Sequence, residues 1–398
     1  MYDCIVIGGG ISGVTFAHRL SKAGKQVLLL EKEDRIGGQI STQTLAGTDF
    51  WYETGAHTCY NSYVSLLSVI KEVGQTDSIR QLSKKYPYKL YTQDGFKKII
   101  SGLYLPDMLL HVPRALFSDK KGKTVREFYR HILGSRNYDR LFSKAFSAVI
   151  VQPADNYPAE MLLKKRHHHC KEQPRTFSFA GGLSAMVSSI AAKAGFPVTM
   201  SEMVTGISRN GALYEVQTAS GGKWQAASVA VATDARAAAD LLQGFESELA
   251  ALLASIPPSR PETLSVVVPA KLLTIERMAG IIPLNDEFFS AVSRDLTEHP
   301  DLRCFTFHFE RSTKSDSEKL AIACRTLNIQ PSDVTHHSVT THVLPSLRIR
   351  HLNMTAQVAN MKKDDNIYLL GNYFKGLSLE DCVQRSLEEA ERYLLNRL

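Results

Sequence analysis

The chain has 398 residues, 44% of them hydrophobic and 22% charged, and a formal charge of +7 at neutral pH. That length calls for more than one hydrophobic core, and the composition excludes disordered and collagen-like chains. No long Lys/Arg block accompanies the positive balance, so no nucleic acid is expected as a partner. A small-molecule substrate is, and the charge favours acidic ones.

Tyr2 to Ile7 (YDCIVI) reads as a buried strand and runs into Gly8-Gly9-Gly10-Ile11-Ser12-Gly13, a G-x-G-x-x-G. Val14 to Ala23 has helical spacing with Gly24 as its stop, and Val27 to Leu30 is a second apolar strand ending on Glu31. In this order the elements predict a dinucleotide site. Gly8 permits a tight turn, Gly10 lets backbone approach a pyrophosphate, and Gly13 lets helix pack on strand. The helix start, with Ile11 and Ser12, offers free N–H groups to that pyrophosphate, and Glu31 can accept from ribose hydroxyls.

The six cysteines, Cys4, Cys59, Cys170, Cys304, Cys324 and Cys382, include no C-x-x-C pair. No metal site is expected, and a reducing compartment fits. The early strand leaves no room for a signal peptide, and no apolar run approaches the roughly 20 residues that cross a bilayer. The expected location is cytoplasmic, with peripheral membrane contact open. Leu103 to Phe117, apolar, broken by Pro106 and Pro113 and flanked by lysines, is where such contact, or a substrate channel wall, would form. Lys164 to Cys170 (KKRHHHC) reads as a solvated basic loop, because consecutive histidines cannot readily converge on one ion.

Glu31 to Gly38 (EKEDRIGG) resembles the E-x-x-x-R-x-G-G element of the FAD-binding amine oxidase, protoporphyrinogen oxidase and phytoene desaturase superfamily. The resemblance implies FAD, with Lys32, Arg35, Gly37 and Gly38 beside its pyrophosphate and ribityl chain. Further matches follow in family order: Glu53 to His57 (ETGAH), Met203-Val204, Ser228 to Thr233 (SVAVAT), and Gly371 to Cys382 (GNYFKGLSLEDC). They imply that Gly55, Ala56, His57, Val204, Ala232, Thr233, Gly371, Asn372, Gly376, Leu377 and Ser378 also line the cofactor. A helix from about Ser378 to Leu395 would aim its positive end at the flavin.

Pro174 to Leu183 and His342 to His351 resemble segments of oxygen-dependent protoporphyrinogen oxidases, although Leu347 and Arg350 replace that family's tyrosine and glycine. Gly55-Ala56-His57 is also similar to UDP-galactopyranose mutases. The implied fold class is α/β: a Rossmann-type FAD-binding domain with a discontinuous α+β substrate domain. Residues 1–75, 176–260 and 341–398 would form the first, 76–175 the helical and 261–340 the sheet part of the second. Thr124 to Leu133, Tyr138 to Val149 and Ser315 to Thr326 read as helices; Leu264 to Val268 and Cys304 to Phe309 read as strands.

The implied reaction is hydride transfer from an apolar cyclic or polyunsaturated substrate, or a carboxylated one, to flavin N5. Amine oxidation and a reduced-FAD mutase, for which Arg348 and Arg350 would be candidates, are the alternatives. No catalytic residue is assigned; His57, His342 and Tyr373 are the polar candidates near the ring. Cys382 is expected not to bind FAD covalently.

Overall fold

Cys4–Ile7 and Val27–Leu30 are buried at every position, as strands covered on both faces must be. A computed structural model describes residues 1–396 apart from 56, 312, 313 and 363. In chain order the strands that build the site are β1 (Cys4–Ile7), β2 (Val27–Leu30), β3 (Tyr88–Thr92), β4 (Gly95–Lys98), β5 (Val198–Thr199) and β6 (Val229–Val231). There follow β7 (Glu262–Pro269), β8 (Gly280–Pro283), β9 (Ser290–Ser293), β10 (Leu302–Phe309), β11 (His336–Thr341) and β12 (Ile367–Leu369). The helices used below are α1 (Ile11–Lys22), α2 (Leu105–His111), α3 (Val125–Leu133), α4 (Ser143–Ile150), α5 (Gly182–Ala194), α6 (Asp316–Leu327) and α7 (Leu379–Leu395).

One sheet has the order β5-β2-β1-β6-β12, with every pairing parallel. The order reverses beside β1, so the crevice beyond the carboxyl ends of β1 and β6 is the topological switch point where such sheets bind ligands. α1, α5 and α7 cover one face of this sheet. Phe16 of α1 meets Tyr393 of α7 edge-on, with ring centroids 6.4 Å apart.

The other sheet has the order β11-β7-β10-β9-β8-β3-β4 and is antiparallel except between β8 and β3. Alternation gives it two different faces. Leu264, Val266, Phe305 and Phe307 pack under α6 in an apolar core. Thr263, Ser265, Thr306 and His308 point the other way and are equally buried.

The stretch 76–175, expected to be mainly helical, also supplies β3 and β4. Their hairpin turns at Asp94-Gly95, where Gly95 has φ +96° and its carbonyl accepts from the Thr92 hydroxyl. The expected helix at Thr124–Leu133 is α3, started by a reciprocal cap between Thr124 and Glu127. The one expected over Tyr138–Val149 begins instead as a wider turn, Tyr138–Phe142, before α4; Tyr138 is buried there and donates to Asp155 at 2.7 Å.

The basic segment is only partly the solvated loop expected. Lys164 Nζ and Arg166 Nη2 lie 3.0 and 3.1 Å from Oδ1 of Asp381, which is buried at the start of α7. A buried carboxylate needs a cation beside it, and this one draws two inward. His167, His168 and His169 remain exposed.

Candidate active site

β1 runs into Gly8, with φ +106°; a Cβ there would meet the Ala232 carbonyl oxygen at 2.8 Å. Gly13 is tighter still, because its Cβ would stand 2.0 Å from the Gly8 carbonyl oxygen. These two glycines press α1 against the ends of β1 and β6, beside Ala232 and Thr233. Gly10, by contrast, faces open space: a Cβ there would find only Gly38 Cα, at 3.9 Å.

Gly37 N donates to Gly9 O at 2.8 Å, which sets the loop 34–38 alongside the glycine turn. The N-terminus of α1 has no side-chain cap and no acidic residue in its first turn. Free N–H groups, a positive helix end and an unfilled backbone cradle fit a diphosphate. Buried Glu31 accepts from the Gly9 and Glu33 amides, and Glu202 N donates to its carbonyl, which brings the Val204 segment alongside.

Arg35 turns its guanidinium onto the Gly38 and Ile40 carbonyls, at 3.0 and 2.9 Å, and so shapes the cradle loop from behind. Lys32 stands exposed at the rim, 3.6 Å from Glu33. A cavity of about 580 Å³ lies between this loop and α5, lined by Arg35, Ile36, Ser184 and Ser188 and by none of the histidines below.

Gly371 and Gly376, with φ +139° and +143°, bracket the turn from β12 to α7, which carries Asn372 and Leu377. Ser378 caps α7 by accepting from Asp381 N at 3.1 Å. Ser12 of α1 bonds Cys382, whose thiol is pushed up to about 12, chiefly by burial, so it stays protonated and a poor nucleophile. Tyr373 is buried, and its hydroxyl has no hydrogen-bond partner among the described residues.

Gly55 and His57 lie close together, with His57 N donating to Gly55 O; Ala56 lies outside the described residues. Glu53, which precedes them, accepts from Leu183 N at 2.8 Å and from the Thr42 hydroxyl at 2.9 Å, fastening this segment to α5. Burial raises its carboxyl to about 7.

The polar face of the second sheet lies on this segment. Thr306 donates to Glu53 O at 2.9 Å, and His342 Nε2 lies 3.1 Å from Thr54 O. Burial, with His342 as the next cause, lowers His57 to about 4; burial, again with His342 next, lowers His308 to about 3. His342 is itself lowered by burial. All three are therefore neutral at pH 7.

His308 Nδ1 lies 3.2 Å from the Ser290 carbonyl oxygen and 3.1 Å from the Ser290 hydroxyl; donation to the carbonyl puts the lone pair on Nε2. That Nε2 is buried without a partner among the described residues. Among the described residues no group of His, Cys, Asp and Glu is placed to hold a metal.

His57 and His342 were readable as candidates, and the structure brings them together; it adds His308 and Glu53. The signal for His308 lay in the alternation of LRCFTFHF, where Cys304, Thr306 and His308 share the less apolar face of a strand.

A parallel sheet of this order, with a glycine cradle at its switch point and a second sheet across it, defines a nucleotide-cofactor enzyme architecture. The profile of the family described as flavin containing amine oxidoreductase matches residues 11–394. The chain belongs to this family of FAD-dependent oxidoreductases. Its fold is that of a structure from Exiguobacterium sp. 255-15 provisionally named a protoporphyrinogen oxidase: TM-score 0.79, 16% identity, 99% of this chain and 98% of that one covered. A fatty acid isomerase from P. acnes that produces CLA gives TM-score 0.74 at 14% identity, covering 100% and 98%. In sequence, 78 residues are 33% identical to the 15-cis-phytoene desaturase of Narcissus pseudonarcissus, 20% of this chain. The match spans only 14% of that desaturase.

Proposed function

We propose that the chain oxidises an apolar cyclic or polyunsaturated substrate, as a protoporphyrinogen oxidase does, with residues 1–75, 176–260 and 341–398 holding FAD and residues 76–175 and 261–340 holding the substrate. FAD, when bound, supplies the two-electron acceptor. The cradle residues Gly8, Gly10, Gly13, Glu31, Gly37 and Gly38 would hold its diphosphate and ribose, and Gly371 to Ser378 would approach the ring.

The observation that carries the reading is the orphaned Nε2 of His308 on a buried polar sheet face above Glu53 to His57. A neutral imidazole fixed by Ser290 accepts a hydrogen bond from a substrate N–H, such as that of a pyrrole, without adding a charge. Thr263, Ser265 and Thr306 beside it have partners already, so the preference falls on a ligand with few polar groups. Tyr373 and Phe374, the aromatic pair available for an amine cage, are both buried, and Arg385 lies 4.1 Å from the Phe374 ring centroid. A cation in that position disfavours an amine there. Anaerobic addition of protoporphyrinogen IX to flavin-loaded protein is expected to bleach the flavin as porphyrin fluorescence appears. Bleaching by primary amines instead would overturn the substrate class.

The segment Leu105–Phe117 supports peripheral membrane contact as part of the same proposal. α2 and the 3₁₀ turns Val112–Phe117 bury no residue at all; Leu109, Leu116 and Phe117 are 78%, 83% and 91% exposed. Residues 97–123 carry six Lys/Arg against two Asp, and Asp107 is turned inward onto Arg136 N. An apolar patch with a cationic surround suits anionic headgroups. Among the described residues no helix is long and apolar enough to cross a membrane. Wild-type protein is expected to float with phosphatidylglycerol-containing vesicles, and the variant L116S/F117S to stay behind; equal flotation of the two would refute the contact.

A further inference from the structure

A second concavity, of about 310 Å³, opens where the chain crosses between the two sheets. Three guanidinium groups line it, those of Arg260, Arg311 and Arg348, with a single carboxylate, Glu310. They come from three separate stretches of chain, so no local motif announces them.

Among the described residues, neither Arg260 nor Arg311 makes an ion pair or hydrogen bond through its side chain, and Glu310 pairs with none of the three. Arg348 is anchored: one Nη donates to the Ser346 hydroxyl at 2.8 Å and to the Leu347 carbonyl at 3.0 Å, leaving the rest of the guanidinium free. Burial, and then Arg350 nearby, disfavour the charge on Arg348. Three cations against one carboxylate leave the hollow with an excess of positive charge, which an anion placed among them would complement.

The remaining wall is apolar and stiff, made of four prolines and Phe289. Pro258 and Ser259 pair with Pro345 and Leu344, and Ser346 N donates to Pro257 O at 2.8 Å. Proline-locked backbone loses little freedom when a ligand arrives. Phe289 N bonds the His308 carbonyl at 2.7 Å, so the hollow backs directly onto the strands that carry Ser290 and His308.

We propose that this hollow binds an organic anion, a carboxylate or phosphate carried on a flat apolar body, with Arg260 and Arg311 clamping the charge and Phe289 and the prolines holding the body. The guanidinium fork matches both oxyanions, and the pocket is too small for more than one compact ring system with its charged group. The site stands apart from the diphosphate cradle and does not depend on which substrate is oxidised.

Calorimetric titration of the FAD-loaded protein with terephthalate and with phenyl phosphate tests it, because the heat is read without turnover. One equivalent of at least one probe is expected to bind, and R260Q/R311Q is expected to weaken it by about tenfold or more. Both residues are exposed, so the variant keeps the fold, which its unchanged flavin content verifies. Tighter terephthalate marks a carboxylate site and tighter phenyl phosphate a phosphate site; either supports the proposal. Absence of saturable binding by both probes, or binding undiminished in R260Q/R311Q, overturns it, whatever the outcome with protoporphyrinogen IX.

Discussion

Gly13→Ala protein is expected to purify nearly free of flavin and to unfold at a markedly lower urea concentration than wild type. The added methyl would sit 2.0 Å from the Gly8 carbonyl oxygen, with the Ala232 methyl at 3.2 Å. The closer contact is backbone, so no rotamer change relieves it, and α1 must lift from β1. Overpacking in a tight core costs about 1–3 kcal/mol, and a backbone contact belongs at the upper end. The same shift displaces the N–H groups of Ile11 and Ser12 proposed to meet the diphosphate. Flavin absorbance per protein and the urea midpoint measure the two effects. A Gly13→Ala protein with full flavin content would refute the cradle as the cofactor site.

Acidification should destabilise the protein steeply, and His308→Gln should flatten that response. An unfolded imidazole takes its proton near pH 6.5, whereas burial, ahead of the nearby His342, lowers folded His308 to about 3. Between those values the unfolded chain binds more protons than the folded one. Stability is therefore full above pH 6.5 and falls as the pH drops toward 3. At 1.36 kcal/mol per pH unit, His308 accounts for up to about 3 kcal/mol between neutrality and pH 4. His57 and His351, both lowered to about 4 mainly by burial, act in the same direction. Urea midpoints of wild type and His308→Gln at neutral and acidic pH provide the comparison. Parallel lines for the two proteins would show that His308 is not held neutral by the fold.

Much of the parallel sheet's start can be read from sequence because its constraints are local. A strand, three glycines and a helix follow one another within residues 2 to 23, and the closest of the glycine contacts, Gly13 on Gly8, lies inside that span. Ser378 three residues before Asp381 likewise announces the start of α7. The second sheet is less legible for two reasons. β3 and β4 are short and lie among helices, and their one clear signal, Asp94-Gly95, is a dipeptide easily passed over. The polar stripe Thr263, Ser265, Thr306 and His308 looks in sequence like a solvent-facing edge. Only Glu53 and Thr54, folded against it, take it out of solvent. The meeting of Arg260, Arg311 and Arg348 depends wholly on the crossing of distant chain segments, which periodicity cannot foresee.

The order of strands in the parallel sheet also dictates a timetable for biosynthesis. β1 is made first, yet its neighbour β6 lies more than two hundred residues later, and β12, which completes the sheet, falls near the C-terminus. α1, the helix proposed to cradle the diphosphate, rests on α7, which is made far later. During translation the glycine turn leaves the ribosome long before the structure that holds it exists. Such distant pairings fold slowly. Closure of the sheet is thus a late event, and a product terminated before β12 emerges with its apolar helices unpaired, a natural target for chaperones and proteases.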